Sequence, residues 1–194
     1  MYLWKPTADA ITGWRAVLET QSASALDELR AALHGIDLRS RQECEELLWD
    51  YTRLFVGPYR LPCPPWESVY TSSTRLLMQE AHDQVRELYA EAGVELGDPR
   101  ILPDHVGAEL NFFAILLERA ERGEPEDGVR VRQLAEQFYR QHLNCWIPQF
   151  TADLEAAAAT ALYRALARAT KNVVLLFGRQ FGEAPSPAQS PELR

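Results

Sequence analysis

The apolar residues of this chain recur at the period of a helix and almost nowhere at the period of a strand, and that spacing limits the fold more than any other feature. In "SRQECEELLWDYTRLF" the residues Cys44, Leu47, Leu48, Tyr51, Leu54 and Phe55 fall on one stripe. Ser40 followed by Glu43 forms a capping box, in which the two side chains satisfy amides that a first turn leaves free. A helix is expected there. Ser24 with Asp27 reads as the cap of a shorter helix through Leu33 that Gly35 ends, and residues 7–20 suggest another around Trp14, Val17 and Leu18. Leu77, Ala81, Val85, Leu88 and Ala92 mark a long helix stopped by Gly93. "LPDHVGAELNFFAILLERAERG" follows, with Pro103 suited to a first turn and Val106, Leu110, Phe113, Leu117 and Ala120 facing inward.

"RGEPEDG" reads as a loop by composition. Beyond it Val131, Leu134, Phe138, His142, Cys145 and Trp146 trace a further helix that Pro148 should kink or end. The last helix, about residues 152–181, carries Leu162, Leu166, Val173 and Phe177 among alanine-rich turns. With no strand-like alternation and no repeat of fixed period, the expected fold is all-α. It is a single-domain helical bundle of about seven or more helices over residues 1–182, followed by a disordered Pro/Ser-rich tail over 183–194.

At 194 residues the chain can bury one good core, and an apolar content of 46% is ordinary for a globular protein. Its longest apolar runs are far too short to span a bilayer. "MYLWKPTADA" lacks the cationic region, apolar stretch and small-residue cleavage site of an export signal, so a cytoplasmic location is expected. The three cysteines, Cys44, Cys63 and Cys145, are widely spaced and form no metal motif, which suits reduced thiols. A formal charge of −8, from 28 acidic and 20 basic residues, argues against a nucleic-acid partner and mildly favours a cationic one.

No phosphate loop, dinucleotide fingerprint, zinc-protease helix or nucleophile elbow is present. Two clusters stand out instead. In "RLPCPPWESVY" the prolines Pro62, Pro64 and Pro65 forbid helix and hold the chain near polyproline II geometry, so Trp66 is presented with little entropy left to lose on binding. Trp66 and Tyr70 can equally fold back as a lid on the bundle. The second cluster is Asp104-His105 at an expected helix start, with Glu109 one turn beyond. It reads as an N-terminal charge with a partly buried histidine, as polar contacts for a ligand, or as an acid/base pair. Two metal ligands at this spacing do not complete a site, so no metal and no cofactor is expected. His34, His82 and His142 read as structural, and the acidic run "ECEELLWD" as a solvated face that also adds a negative field.

Together, "YTRLFVGPYRLPCPPWESVY", "LPDHVGAELNFF" and "QHLNCWIPQF" resemble the TorD/DmsD family of redox-enzyme maturation chaperones over about residues 45–180. The resemblance implies an all-helical, non-catalytic protein that binds the twin-arginine leader of a molybdopterin oxidoreductase of the DMSO or TMAO reductase type. It implies that the apoenzyme is held until its cofactor is inserted before export. Carried over by position, the peptide-binding residues are Tyr51, Leu54, Phe55, Pro65, Trp66, Ser68, Asp104 and His105, with Glu67, Tyr70 and Glu109 as additional members. Glu67 stands where family members of the DmsD type carry glycine. Nitrate-reductase chaperones, which share the fold without the full Pro-Pro-Trp loop, rank lower. Two guanidinium groups followed by an apolar stretch call for carboxylates beside an apolar groove, and for binding that salt weakens. The rival from another class is a small helical enzyme using Asp104 and His105 as an acid/base pair. The expected assembly is a monomer, although the 57–66 segment would also permit a domain-swapped dimer.

Overall fold

The computed structural model describes residues 1–2, 5–58, 60–123 and 125–181, and of residues 125 and 126 the backbone only. The expected disordered tail, 183–194, lies outside the described residues. In chain order come α1 (Ala8–Glu19), a 3-10 turn (Ser24–Leu26), α2 (Asp27–His34), α3 (Arg41–Phe55), α4 (Glu67–Thr71), α5 (Glu80–Glu91), α6 (Val106–Arg122), α7 (Pro125–Phe138), a π turn (Tyr139–Leu143), α8 (Asn144–Ala157) and α9 (Ala161–Gln180). The class is all-α. Among the described residues the extended pairing is a single antiparallel bridge between Trp66 and His105. None of the described helices is long and apolar enough to cross a membrane.

The chain divides into two compact units. The first comprises Met1–Pro65 and Phe150–Val173. Here Thr7 caps α1 by accepting from the Ala10 amide, and Arg15 donates to the carbonyls of Leu33 and Ile36, placing a cation at the negative end of α2. Ser40 caps α3 through the Glu43 amide at 3.3 Å, but the Glu43 carboxylate turns to the Asp37 amide instead of closing the box. Leu47, Tyr51, Leu54 and Phe55 enter the core, where the Phe55 ring meets Tyr163 at 5.7 Å and Tyr2 at 5.9 Å. Leu48, expected on that stripe, is 43% exposed.

Two boundaries in this unit differ from the sequence reading. Ser24 does not cap a helix but opens the 3-10 turn, which leads directly into α2. The expected helix over 152–181 is two helices, α8 and α9. The buried Asp50 carboxylate accepts from the amides of Ala159 and Thr160 at 3.0 and 2.8 Å and from the Thr160 hydroxyl at 2.9 Å. A charged acceptor seated on amides at the start of a helix stabilises that start, and here it overrides the helical propensity of the alanine run.

The second unit comprises Trp66–Gln149 and the chain from Val174. Positive φ values at Arg75 (54°) and Met78 (55°) take the backbone off a helical path, so α5 starts at Glu80 and excludes Leu77. It stops before Gly93, whose φ of +62° needs glycine. Helix α6 starts later than expected: His105 is its cap, and Pro103 and Asp104 precede it. Its inward set is Val106, Ala108, Glu109, Phe112, Phe113 and Leu116, whereas Leu110 and Leu117 are only half-buried. Most of "RGEPEDG" is helix, since α7 begins at Pro125; a first helical position needs no amide donor, and proline suits it. Pro148 sits inside α8 without ending it. The irregularity falls earlier, at the π turn, whose extra residue rotates the stripe to His142, Leu143, Trp146 and Ile147 and leaves Cys145 exposed. Phe112 anchors this core, with ring centroids 4.3 Å from Tyr89 and 4.9 Å from Phe138.

Candidate functional site

Within the second unit, Trp66, which follows the Pro-Pro pair, meets the Asp-His step. The Trp66–His105 bridge carries a hydrogen bond from the Glu67 amide to the Asp104 carbonyl at 2.9 Å, and the indole of the half-buried Trp66 lies edge-on to the His105 ring at 5.8 Å. Asp104 Oδ2 accepts from the Ser68 hydroxyl at 2.5 Å and the Ser68 amide at 3.1 Å, while the Ser68 Oγ accepts from the Gln79 amide at 3.3 Å. Asp104 thus caps the first turn of α4. His105 caps α6, its Nδ1 accepting from the Gly107 amide at 3.0 Å, which leaves its proton on Nε2. Burial holds the His105 pKa down to about 4, so the ring is neutral at physiological pH. Each side chain is committed to a helix end, and they form no acid/base dyad with one another.

Beneath this bridge lies a buried ionisable chain. His142 Nδ1 contacts the Glu67 carboxylate at 2.9 and 3.2 Å, and Trp146 Nε1 donates to Glu109 Oε2 at 2.9 Å. Burial first, then the charge of Glu67, hold the Glu109 carboxyl well above the usual carboxylate range; the bond from Trp146 opposes the shift. Tyr89, donating to the Pro103 carbonyl at 3.0 Å, has its phenol pushed up chiefly by burial. Among the described residues no group of three or more His, Cys, Asp or Glu side chains is arranged to hold a metal ion.

Sequence reasoning offered Asp104, Glu67 and Glu109 as carboxylates for incoming arginines, and the structure turns all three inward, with relative exposures of 0, 2 and 0%. Ser68 and Pro65 are also buried, and Tyr70 is half-buried with its ring 5.5 Å from Trp146. Tyr51, Leu54 and Phe55 belong to the first unit and are core residues there. His142 and Trp146 were legible only as members of an apolar stripe; their pairing with carboxylates far away in the sequence has no local signal. Asp50 was missed because a capping carboxylate on a distant helix leaves no spacing to read. Trp49, 75% exposed in the middle of α3, was passed over as part of an acidic run.

The family profile described as "Nitrate reductase delta subunit" matches residues 16–152. The chain belongs to that family. Curated relatives include the Tat proofreading chaperone DmsD of Salmonella typhi, 32% identical over 123 residues, covering 63% of this chain and 55% of the relative. Another is the chaperone protein TorD of Vibrio atlanticus, 28% identical over 128 residues, covering 65% and 59%. The matched region thus spans little more than half the length of these relatives. A putative redox enzyme maturation protein from Archaeoglobus fulgidus shares the fold, with a TM-score of 0.63, 22% identity and coverage of 90% of this chain and 88% of that one. The recognition of a TorD/DmsD-type chain from its motifs therefore stands, within a family whose description names nitrate reductase.

Proposed function

We propose that this protein is a non-catalytic redox-enzyme maturation chaperone that binds the twin-arginine leader of a molybdopterin oxidoreductase and retains the apoenzyme in the cytoplasm until cofactor insertion. Its residues 1–182 act as one chaperone domain, a monomer with no nucleic-acid partner. The observation that carries this reading is the Trp66–His105 bridge: the two motifs that define the resemblance are hydrogen-bonded into one structure and lie inside the matched region. The names of the relatives support the same reading. Residues 51, 54, 55, 65, 66, 68, 104 and 105 then serve chiefly to hold the binding surfaces in shape, since nearly all of them are buried. The capping roles of Asp104 Oδ2 and His105 Nδ1, each accepting from a backbone amide, favour the chaperone reading over an acid/base pair.

The test uses a molybdoenzyme catalytic subunit with an Arg-Arg leader from the same organism, expressed with and without that leader in cells unable to make the cofactor. The full precursor should co-purify with the chaperone and the leaderless form should not. Equal recovery of both forms, or of neither, would refute leader recognition.

A further inference from the structure

Trp49, in mid-helix, is 75% exposed, the highest value among the exposed large apolar side chains of the described residues. Trp49 does not stand alone. With Leu48, Thr52, Pro58 and Pro62 it lines a hollow of about 630 Å³ on the outer side of α3, within the first unit, and Val56 beside it is 58% exposed. Gly57, with φ of +97°, turns the chain so that Pro58 and Pro62 become the far wall. One turn before Trp49 on the same helix stand Glu45 and Glu46, at i−4 and i−3, both exposed. Arg41, one turn earlier and itself exposed, pairs with Glu45 at 2.7 Å, and Gln42 donates to Glu46 at 2.9 Å. Along α3 the surface therefore runs from acidic to apolar.

The cations at the hollow fix its polarity. Arg53 is bound inward to Asp50 at 2.7 Å and to the Ala157 carbonyl at 2.6 Å, so its charge is already engaged. Arg60, exposed, lines the proline end. A ligand with positive charge at that end would be repelled, and one with positive charge at the Glu45/Glu46 end attracted.

We infer that the outer face of α3 is where the leader docks, with its arginine pair on Glu45 and Glu46 and the apolar stretch that follows seated on Leu48 and Trp49 toward Pro58 and Pro62. This rests on the proposed function and supplies what the buried Asp104, Glu67 and Glu109 do not offer, exposed carboxylates, Glu46 held only by the neutral Gln42 and Glu45 by the exposed Arg41 that an incoming arginine would displace. At the start of α3 the exposed Glu43, Glu45 and Glu46 outnumber the one cation, Arg41, so the face still runs from net acidic through apolar to Arg60, the complement of a cationic pair followed by an apolar run. Exposed carboxylates also make the salt dependence large, because the pairs form where ions screen them.

The experiment measures fluorescence anisotropy of a labelled synthetic peptide, an Arg-Arg pair followed by an uninterrupted Leu/Ala run, with wild type, Trp49→Ala and the double variant Glu45→Gln/Glu46→Gln. Because all three side chains are exposed, circular dichroism and thermal midpoint should match wild type. Trp49→Ala should weaken binding about tenfold or more, as for removal of a central aromatic anchor. Glu45→Gln/Glu46→Gln should abolish the preference for Arg-Arg over Lys-Lys. If wild type binds the peptide and both variants bind it equally well, the docking face is elsewhere and the inference fails while leader recognition stands. If wild type does not bind at all, both fail together. If Trp49→Ala instead lowers the sedimentation coefficient of the free protein, the face is a contact between two copies and the inference is overturned.

Discussion

Asp104→Ala separates a residue that holds the motifs together from one that touches a ligand. In the wild type one buried carboxylate oxygen accepts from both the amide and the hydroxyl of Ser68, at 3.1 and 2.5 Å. A hydrogen bond to a charged group contributes roughly 1.5–3 kcal/mol, and a buried donor left without a partner costs about 1–3 kcal/mol. The two bonds share one oxygen, so they do not add in full, and the expected loss of stability is about 3 kcal/mol. For a chain of this length that corresponds to a fall in Tm of roughly 6–12 °C. Urea denaturation followed by far-ultraviolet circular dichroism and by tryptophan fluorescence measures it, with both probes needed because the chain has two compact units. Asp104→Asn, which keeps an acceptor but not the charge, should fall between variant and wild type. A loss below about 1 kcal/mol with an unchanged m-value would refute the capping role. So would an Asp104→Ala protein of wild-type stability that no longer binds the leader, which would make Asp104 a direct contact.

Three further outcomes follow from buried charge. Asp50→Ala should cost about 3 kcal/mol and speed hydrogen exchange at the amides of residues 159 and 160, which lose their acceptor; unchanged exchange there would show that Asp50 does not hold the break between α8 and α9. Glu109 keeps a proton that the unfolded chain releases above its ordinary pKa of 4.5, so wild-type stability should fall as pH rises from there toward the raised folded value, at about 1.4 kcal/mol per unit, and Glu109→Gln should flatten that slope. An identical slope in the variant would mean that Glu109 is ionised in the fold. His105 behaves oppositely: with its pKa lowered from 6.5 to about 4, the unfolded chain binds the proton first, and stability should drop by about 3 kcal/mol as pH falls through that window. His105→Asn, which caps equally well, should remove this drop; persistence of the drop would assign it to another group.

The fold was legible where a single helix carries its own signal. The Ser40 cap of α3, most of its stripe and the Gly93 stop of α5 are local and stand where the spacing places them, whereas of the expected α6 face only Val106 and Phe113 are fully buried. What the sequence withheld are features fixed by distant partners. The break at residues 158–160 comes from Asp50 on α3, and the late start of α6 comes from Asp104 being spent on Ser68. Alanine propensity and first-turn charge preference are worth less than these bonds, so the local rule lost.

At the candidate site, the meeting of Trp66 with His105 agrees with the motif reading, but the direction of the carboxylates does not. A carboxylate near a helix start is the same letter whether it faces a ligand or another loop. Glu67 illustrates the limit: its partners His142 and Glu109 sit on two other helical elements, and nothing in "PPWESVY" announces either. The acidic run "ECEELLWD", read as a solvated face with a negative field, also carries Trp49, whose exposed indole interrupts its charge.

The most direct measurement of the central claim is calorimetric titration of the purified protein with the Arg-Arg leader peptide and with its Lys-Lys counterpart at low and high salt. Leader recognition by carboxylates predicts saturable binding of the Arg-Arg peptide, weakened by salt, and at least about tenfold weaker binding of the Lys-Lys peptide, which cannot pair bidentately. Equal affinity for the two peptides, or no binding of either, would contradict it.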